Sequence, residues 1–67
     1  MNKLESGVDE ELVSWKECCY RKEKLDLESI RKYERRINGY KIRGFGEITR
    51  RHELILDILY RRMNTKF

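Results

Sequence analysis

The chain of 67 residues contains no proline, and its four glycines leave most of the first half without a helix breaker. They stand at Gly7, Gly39, Gly44 and Gly46. Proline and glycine are the residues that a helix interior tolerates least, so residues 8–38 are free to form uninterrupted helix. The three clustered glycines predict that the chain reverses over residues 39–46.

Apolar residues between positions 8 and 37 recur with helical spacing. At about 100° per residue they fall within about 40° of Cys19 and form one stripe. The stripe comprises Val8, Leu12, Trp15, Cys19, Ile30, Tyr33 and Ile37. It is interrupted where Lys22, Glu23 and Asp26 occupy the same face. We predict one long helix over about residues 6–38. The alternative is a break near Asp26, which would then cap a second helix from Leu27.

A further helix is predicted over about residues 47–64, because Ile48, His52, Ile55 and Leu59 share one face. The predicted fold class is therefore all-α, a helical hairpin with a glycine-rich loop at residues 39–46. It forms a single small domain over residues 1–67. We expect residues 1–5 and 65–67 to fray, since nothing in the pattern holds either end.

Helix lengths raise the question of what covers the apolar stripe. The first predicted helix is about 45 Å long and the second about 26 Å. In a hairpin the shorter helix covers the longer one only from Cys19 to Ile37, which leaves an apolar seam exposed. The predicted protein interface consists of Val8, Leu12, Trp15 and Cys19. We expect a second copy to cover it in a four-helix homodimer. The alternatives are a three-helix bundle, in which the N-terminal arm folds back, and a different protein partner.

Charge divides the chain into an acidic and a basic part. The net charge is +4, from 16 basic and 12 acidic residues, but residues 1–30 carry −3 and residues 31–67 carry +7. Arginine dominates the basic part, and its planar guanidinium suits phosphate oxygens. We predict a small regulatory protein that binds nucleic acid, with Tyr40 and Phe45 able to stack on bases. The predicted contacts are Arg31, Arg35, Arg36, Lys41, Arg43 and Arg50.

Local ion pairing is the plainer interpretation of the same charges. Four acid–base pairs stand four residues apart with the acid first, the favourable order on a helix. They are Glu17–Arg21, Glu28–Lys32, Glu47–Arg51 and Asp57–Arg61. These pairs would make much of the basic part a solvated surface, although they leave most of the predicted contacts without a local partner.

Other function classes find less support in the residues. A helix-turn-helix would require a break near Asp26 and would expose Thr49, Arg50 and Glu53 on a recognition helix, but its turn is shorter than the predicted loop. A protein-binding adaptor or inhibitor that docks Val8, Leu12 and Trp15 onto a larger protein is the alternative function.

Catalytic chemistry has no basis in the sequence, so we predict that the protein is not an enzyme. His52 is the single histidine and falls at the edge of an apolar face, where a structural role is the expected one. Cys18 and Cys19 are adjacent and lack metal-ligand spacing, so no metal, cofactor or small-molecule substrate is expected. The absence of an apolar span or signal segment predicts a cytoplasmic protein without a membrane partner.

Overall fold

The computed structural model describes residues 3–64, with side chains from residue 4 onward, and consists of three helices packed together. They are α1 (Lys3–Arg21), α2 (Leu27–Ile42) and α3 (Gly46–Asn64). The all-α prediction is confirmed, and residues 3–5 belong to the first turn of α1, while their fraying stays a prediction. The fraying predicted for residues 1–2 and 65–67 lies outside the described residues. None of these three helices is long and apolar enough to cross a membrane.

The predicted continuous helix over residues 6–38 is wrong, because the chain breaks between α1 and α2. Asp26 has extended backbone angles (φ −114°, ψ 149°) and caps α2, its Oδ1 accepting a hydrogen bond from the Ser29 amide at 2.7 Å. Its other oxygen, Oδ2, accepts one from Lys22 Nζ at 2.9 Å. One carboxylate therefore satisfies a free amide at the start of α2 and anchors the segment that leads into it.

Folding α1 back buries the seam that the hairpin would have exposed. Val8, Leu12 and Cys19 are 5%, 0% and 1% exposed, and they share one core with residues of α2 and α3. That core also contains Ile30, Tyr33, Ile37, Ile48, Leu56 and Leu59. The predicted exposed interface is therefore wrong for Val8, Leu12 and Cys19, while Trp15 is half-buried against the core. Burial removes the reason for docking the seam on a larger protein or a second copy, and homodimerisation stays a prediction.

The chain reversal between α2 and α3 occupies only three residues, 43–45. The predicted stop at Gly39 is wrong: α2 continues through it to Ile42, and the left-handed residue is Gly44, with φ +103°. The Gly44 amide donates to Lys41 O (3.2 Å) and the Phe45 amide to Tyr40 O (3.0 Å). The Phe45 ring also lies edge-on to Tyr40, with centroids 5.9 Å apart. These are the two hydrogen bonds and the apolar contact of a Schellman motif.

A buried polar chain connects all three helices through His52. The Tyr33 hydroxyl lies 2.6 Å from Nδ1 of His52, and Nε2 lies 3.0 Å from Asp9 Oδ1. Since a carboxylate only accepts, the neutral imidazole fits with Nε2–H donating to Asp9 and Nδ1 accepting from Tyr33. His52 is 3% exposed, as its place in the sequence pattern predicts. The two hydrogen bonds of His52 fix the position of each helix relative to the other two.

The Asp26 cap predicts a specific acid sensitivity. The hydrogen bond from Lys22, followed by that from the Ser29 amide, lowers the pKa of Asp26 from 3.8 to about 2. The unfolded chain therefore binds more protons between these values, so the stabilisation is complete above about pH 4 and is lost as the pH falls toward 2. Asn at position 26 keeps an acceptor for the cap but cannot titrate, whereas Ala removes both.

Thermal unfolding followed by circular dichroism tests this. We expect Asp26→Ala to lower the melting temperature at neutral pH more than Asp26→Asn does. Asp26→Asn is also expected to have a flatter melting-temperature profile than the wild type between about pH 4 and about pH 2. An Asp26→Asn profile that follows the wild type through this window would contradict the assignment.

Candidate nucleic-acid interface

Helix α2 carries the largest excess of positive charge among the three helices. It holds five basic and two acidic residues, whereas α1 holds three basic and five acidic ones. Its exposed face carries four cations within residues 31–36. They are Arg31, Lys32, Arg35 and Arg36. Because residues three and four apart are neighbours on a helix surface, these side chains form one patch, which we call the α2 basic patch.

The cations of the α2 basic patch are only weakly neutralised by their surroundings. Lys32 Nζ lies 3.6 Å from Glu28, and Arg36 Nη1 lies 3.9 Å from Glu11, with both basic side chains about half exposed (52% and 54%). Such long, solvated pairs contribute little to stability. The side chains of Arg31 and Arg35 form no ion pair or hydrogen bond with any residue between 4 and 64. The patch is therefore free to exchange its present contacts for those of an anion.

A groove runs along the α1 side of the α2 basic patch. It has a volume of about 490 Å³ and is lined by Trp15, Lys32, Arg35 and Arg36. Trp15 reaches it from α1 because the chain folds back at residues 22–26, which brings α1 beside α2. The Arg36 guanidinium carbon lies 5.5 Å from the centroid of the indole ring, a cation–π distance. Three cations and one aromatic ring therefore share the groove.

The six predicted nucleic-acid contacts fall in three places. Arg31, Arg35 and Arg36 belong to the α2 basic patch. Lys41 pairs with Glu53 at 3.0 Å, and the Arg43 guanidinium carbon lies 5.6 Å above the Tyr40 ring, so both have partners at the end of α2. Arg50 is exposed on α3.

The aromatic residues predicted to stack on bases are already engaged. Phe45 lies edge-on to Tyr40. The Tyr40 hydroxyl donates a hydrogen bond to Glu11, which raises the pKa of that hydroxyl. Both rings therefore help to hold the turn and the α1–α2 contact together, and both also line an open hollow beside Arg43.

Sequence reasoning missed two members of the groove. Lys32 was assigned to its ion pair with Glu28, which exists but is long at 3.6 Å. Trp15 was assigned to the apolar seam, whereas its helical position puts it at the border between the buried stripe and the surface. The break near Asp26 was the signal that could have placed Trp15 beside α2, since only the fold-back brings these residues together.

Three of the four predicted local ion pairs are present, namely Glu17–Arg21 (3.6 Å), Glu28–Lys32 (3.6 Å) and Asp57–Arg61 (3.2 Å). Glu47–Arg51 is not among the ion pairs of residues 4–64. Instead, both residues line a hollow beside the start of α3, together with Glu5. Two carboxylates against one guanidinium make that hollow unsuitable for phosphate, even though it adjoins a helix N-terminus.

The short α2–α3 turn has the length of a helix-turn-helix turn, but α3 does not present the residues that a recognition helix needs. Thr49 is fully buried and its hydroxyl donates to Phe45 O at 3.0 Å. Glu53 pairs with Lys41. Of the three residues predicted to face a groove of DNA, only Arg50 is exposed without such a contact.

The Asp9–His52–Tyr33 chain has the residue types of a proton relay, but its burial argues for a structural role. Tyr33 is 0% exposed, so its hydroxyl has no access to a substrate, and burial raises its pKa. In the part of the chain that the structure describes, no group of three or more His, Cys, Asp or Glu residues is placed to hold a metal ion.

No protein-family model, curated protein or solved structure matches this chain. The features that bear on its function are therefore the α2 basic patch and the groove beside it.

Proposed function

We propose that this chain is a small, non-enzymatic regulatory protein that binds nucleic acid through the α2 basic patch. The observation that carries the proposal is the state of Arg31 and Arg35, which are exposed and form no ion pair with any residue between 4 and 64. Beside them, Lys32 and Arg36 have only long pairs. These four cations would neutralise phosphates of a nucleic acid. The counterions condensed on that nucleic acid would then be released, which favours binding.

Charge on the neighbouring helix supports a directed interaction. Helix α1 has net charge −2 and α2 has net charge +3, so the acidic and basic parts of the sequence become adjacent helices. A polyanion is then attracted to α2 and repelled by much of α1, which orients its approach.

The salt dependence of binding tests this proposal. If four cations neutralise phosphates of a single strand, affinity falls about 50-fold between about 50 mM and about 200 mM salt. Replacing Arg31 and Arg35 together with Gln is expected to reduce the slope of log affinity against log salt by about 1.4. Fluorescence anisotropy of a labelled oligonucleotide measures both quantities.

A matched variant separates the α2 basic patch from general positive charge. Arg50→Gln with Arg51→Gln removes the same charge from α3, where neither residue belongs to the α2 basic patch or lines the groove beside it. We expect this pair to leave the slope nearly unchanged. Equal loss in the two double variants, or no binding of duplex or single strands at about 50 mM salt, would contradict the proposal.

A further inference from the structure

Trp15 is the one tryptophan of the chain, and it lines a charged groove instead of filling the core. Fully buried large side chains, such as Leu12, Tyr33 and Ile37, are 0% exposed, whereas Trp15 is half-buried with the Arg36 guanidinium over its ring. The Arg36 side chain is 54% exposed, and its one ion pair within residues 4–64 is the 3.9 Å contact with Glu11. The ring face is therefore covered by a group that is able to move aside.

We infer that the Trp15 groove binds an unpaired nucleobase, which stacks on the indole while Lys32, Arg35 and Arg36 neutralise the adjoining phosphates. This inference deepens the proposed function and depends on it. A base has a flat π-face that matches an indole, and stacking on aromatic side chains does not require a particular base. The base takes the place that the Arg36 guanidinium holds over Trp15 in the free protein, which frees that guanidinium for a neighbouring phosphate.

Stacking on the ring selects a single strand over a duplex. Trp15 stands on α1 and is half-buried, and the groove that it shares with side chains of α2 is open to solvent. In a duplex the faces of the bases are covered by their neighbours, so only bases that are unstacked or splayed out have a face to place on the indole. The volume of about 490 Å³ lies within the range of small-molecule sites, which is enough for one base with its sugar.

The extent of the α2 basic patch favours a polymer over a ligand with one phosphate. Arg31 lies outside the groove lining, yet it continues the row of cations one helical turn from Arg35. A phosphotyrosine peptide would place one phosphate and one ring in the groove and leave Arg31 unused. A strand with regularly spaced phosphates engages the groove and Arg31 together.

Tryptophan fluorescence, excited at the red edge where the four tyrosines do not absorb, provides a direct test, because Trp15 is the one tryptophan. We expect single-stranded octamers of deoxythymidine and of uridine to quench it on binding, since a stacked base quenches an indole at contact. A duplex of the same length, and an abasic octamer that keeps the phosphates, are expected to bind more weakly and to quench little. A phosphotyrosine peptide is expected to bind more weakly than the octamers.

Substitutions separate stacking from charge. Trp15→Leu keeps an apolar side chain against the core and is expected to weaken binding of a labelled single strand by about 5- to 150-fold in anisotropy measurements. Trp15→Phe keeps a smaller ring and is expected to lose less. The control is Tyr20→Leu: Tyr20 is exposed (47%) and, like Trp15, has an arginine near its ring, with Arg62 at 5.9 Å, but it lies elsewhere on α1. Its loss is expected to leave the affinity unchanged.

Several results would overturn the inference. Equal affinity for the abasic octamer, together with unchanged affinity in Trp15→Leu and Trp15→Phe, would show that charge alone binds the strand. The proposed function would survive that outcome, provided that the salt slope still depends on Arg31 and Arg35. Tighter binding of the duplex or of the phosphotyrosine peptide would also overturn the inference.

If no nucleic acid binds at about 50 mM salt, both the inference and the proposed function fail. Far-ultraviolet circular dichroism of each variant verifies that the helices are intact, and the wild-type quenching measurement does not depend on any variant.

Discussion

Replacing Leu12 with Ala is expected to lower the free energy of unfolding by about 2–5 kcal/mol, the usual cost of truncating a buried leucine. Leu12 is 0% exposed and belongs to the core that all three helices share. A small domain has a total stability of only about 5–15 kcal/mol, so the variant is expected to be partly unfolded at 37 °C or near it. Urea unfolding followed by circular dichroism measures the change.

The matched control for this variant is Leu54→Ala, because Leu54 is 65% exposed in the interior of α3. Its effect is expected to stay within about 0.5 kcal/mol. The loss in Leu12→Ala should also be independent of protein concentration, since Leu12 is buried within one chain. A loss that grows on dilution would mean that a second copy covers Leu12, as in the four-helix homodimer, and would contradict the three-helix core.

Replacing Tyr33 with Phe is expected to lower the free energy of unfolding by about 1–3 kcal/mol, although the two side chains differ by one oxygen atom. The Tyr33 hydroxyl lies 2.6 Å from His52 Nδ1, and both side chains are buried. Without it, Nδ1 is left in the core with no hydrogen-bond partner. By comparison, Tyr60→Phe removes a hydroxyl that donates to the half-buried Glu34, which water can solvate instead, so a loss of about 0.5 kcal/mol is expected.

A double-mutant cycle isolates the buried hydrogen bond. His52→Leu removes the other partner, and the double variant leaves no unsatisfied nitrogen, so its loss should be smaller than the sum of the two single losses. Additive losses would show that Tyr33 and His52 are not coupled. Urea unfolding of the four proteins at neutral pH provides the required free energies.

Alkaline pH gives the same pair a second readout. Burial raises the pKa of the Tyr33 hydroxyl above its ordinary value of 10.0. Above about pH 10 the unfolded chain releases the proton of this hydroxyl, whereas the folded chain keeps it. This contribution to stability is therefore complete below about pH 10 and is lost as the pH rises further. Tyr33→Phe lacks the group and is expected to lose less stability than the wild type between about pH 8 and about pH 11. An unchanged alkaline loss would contradict the burial of the hydroxyl.

Much of the fold could be predicted because helical periodicity is local. The apolar stripe from Val8 to Ile37 supplies most of the core, and the second predicted helix, 47–64, agrees with α3 to within one residue at its start. The helix ends were harder. Gly39 and Gly44 have equal freedom to adopt a left-handed conformation, and Gly44 ends α2 because Phe45 after it packs on Tyr40.

The candidate site was less accessible to prediction. Arg31, Arg35 and Arg36, which are among the predicted contacts, lie together on α2, because which residues are neighbours on one helix follows from spacing alone. Which cations are neutralised depends on the other helices: Lys41 meets Glu53 of α3, and Arg36 meets Glu11 and Trp15 of α1. No local pattern reports such contacts between residues far apart in the chain.

By itself, the sequence determined that the protein is helical, which apolar residues face inward and that the positive charge lies in its second half. Only the tertiary structure decided that the first stripe forms two helices instead of one. The local pattern is compatible with both, and the outcome depends on whether a break over five residues, capped by Asp26, costs less than leaving Val8 and Leu12 in water. The same fold-back puts Trp15 beside Arg36. The groove is therefore a consequence of burying the apolar residues of α1 against the other two helices.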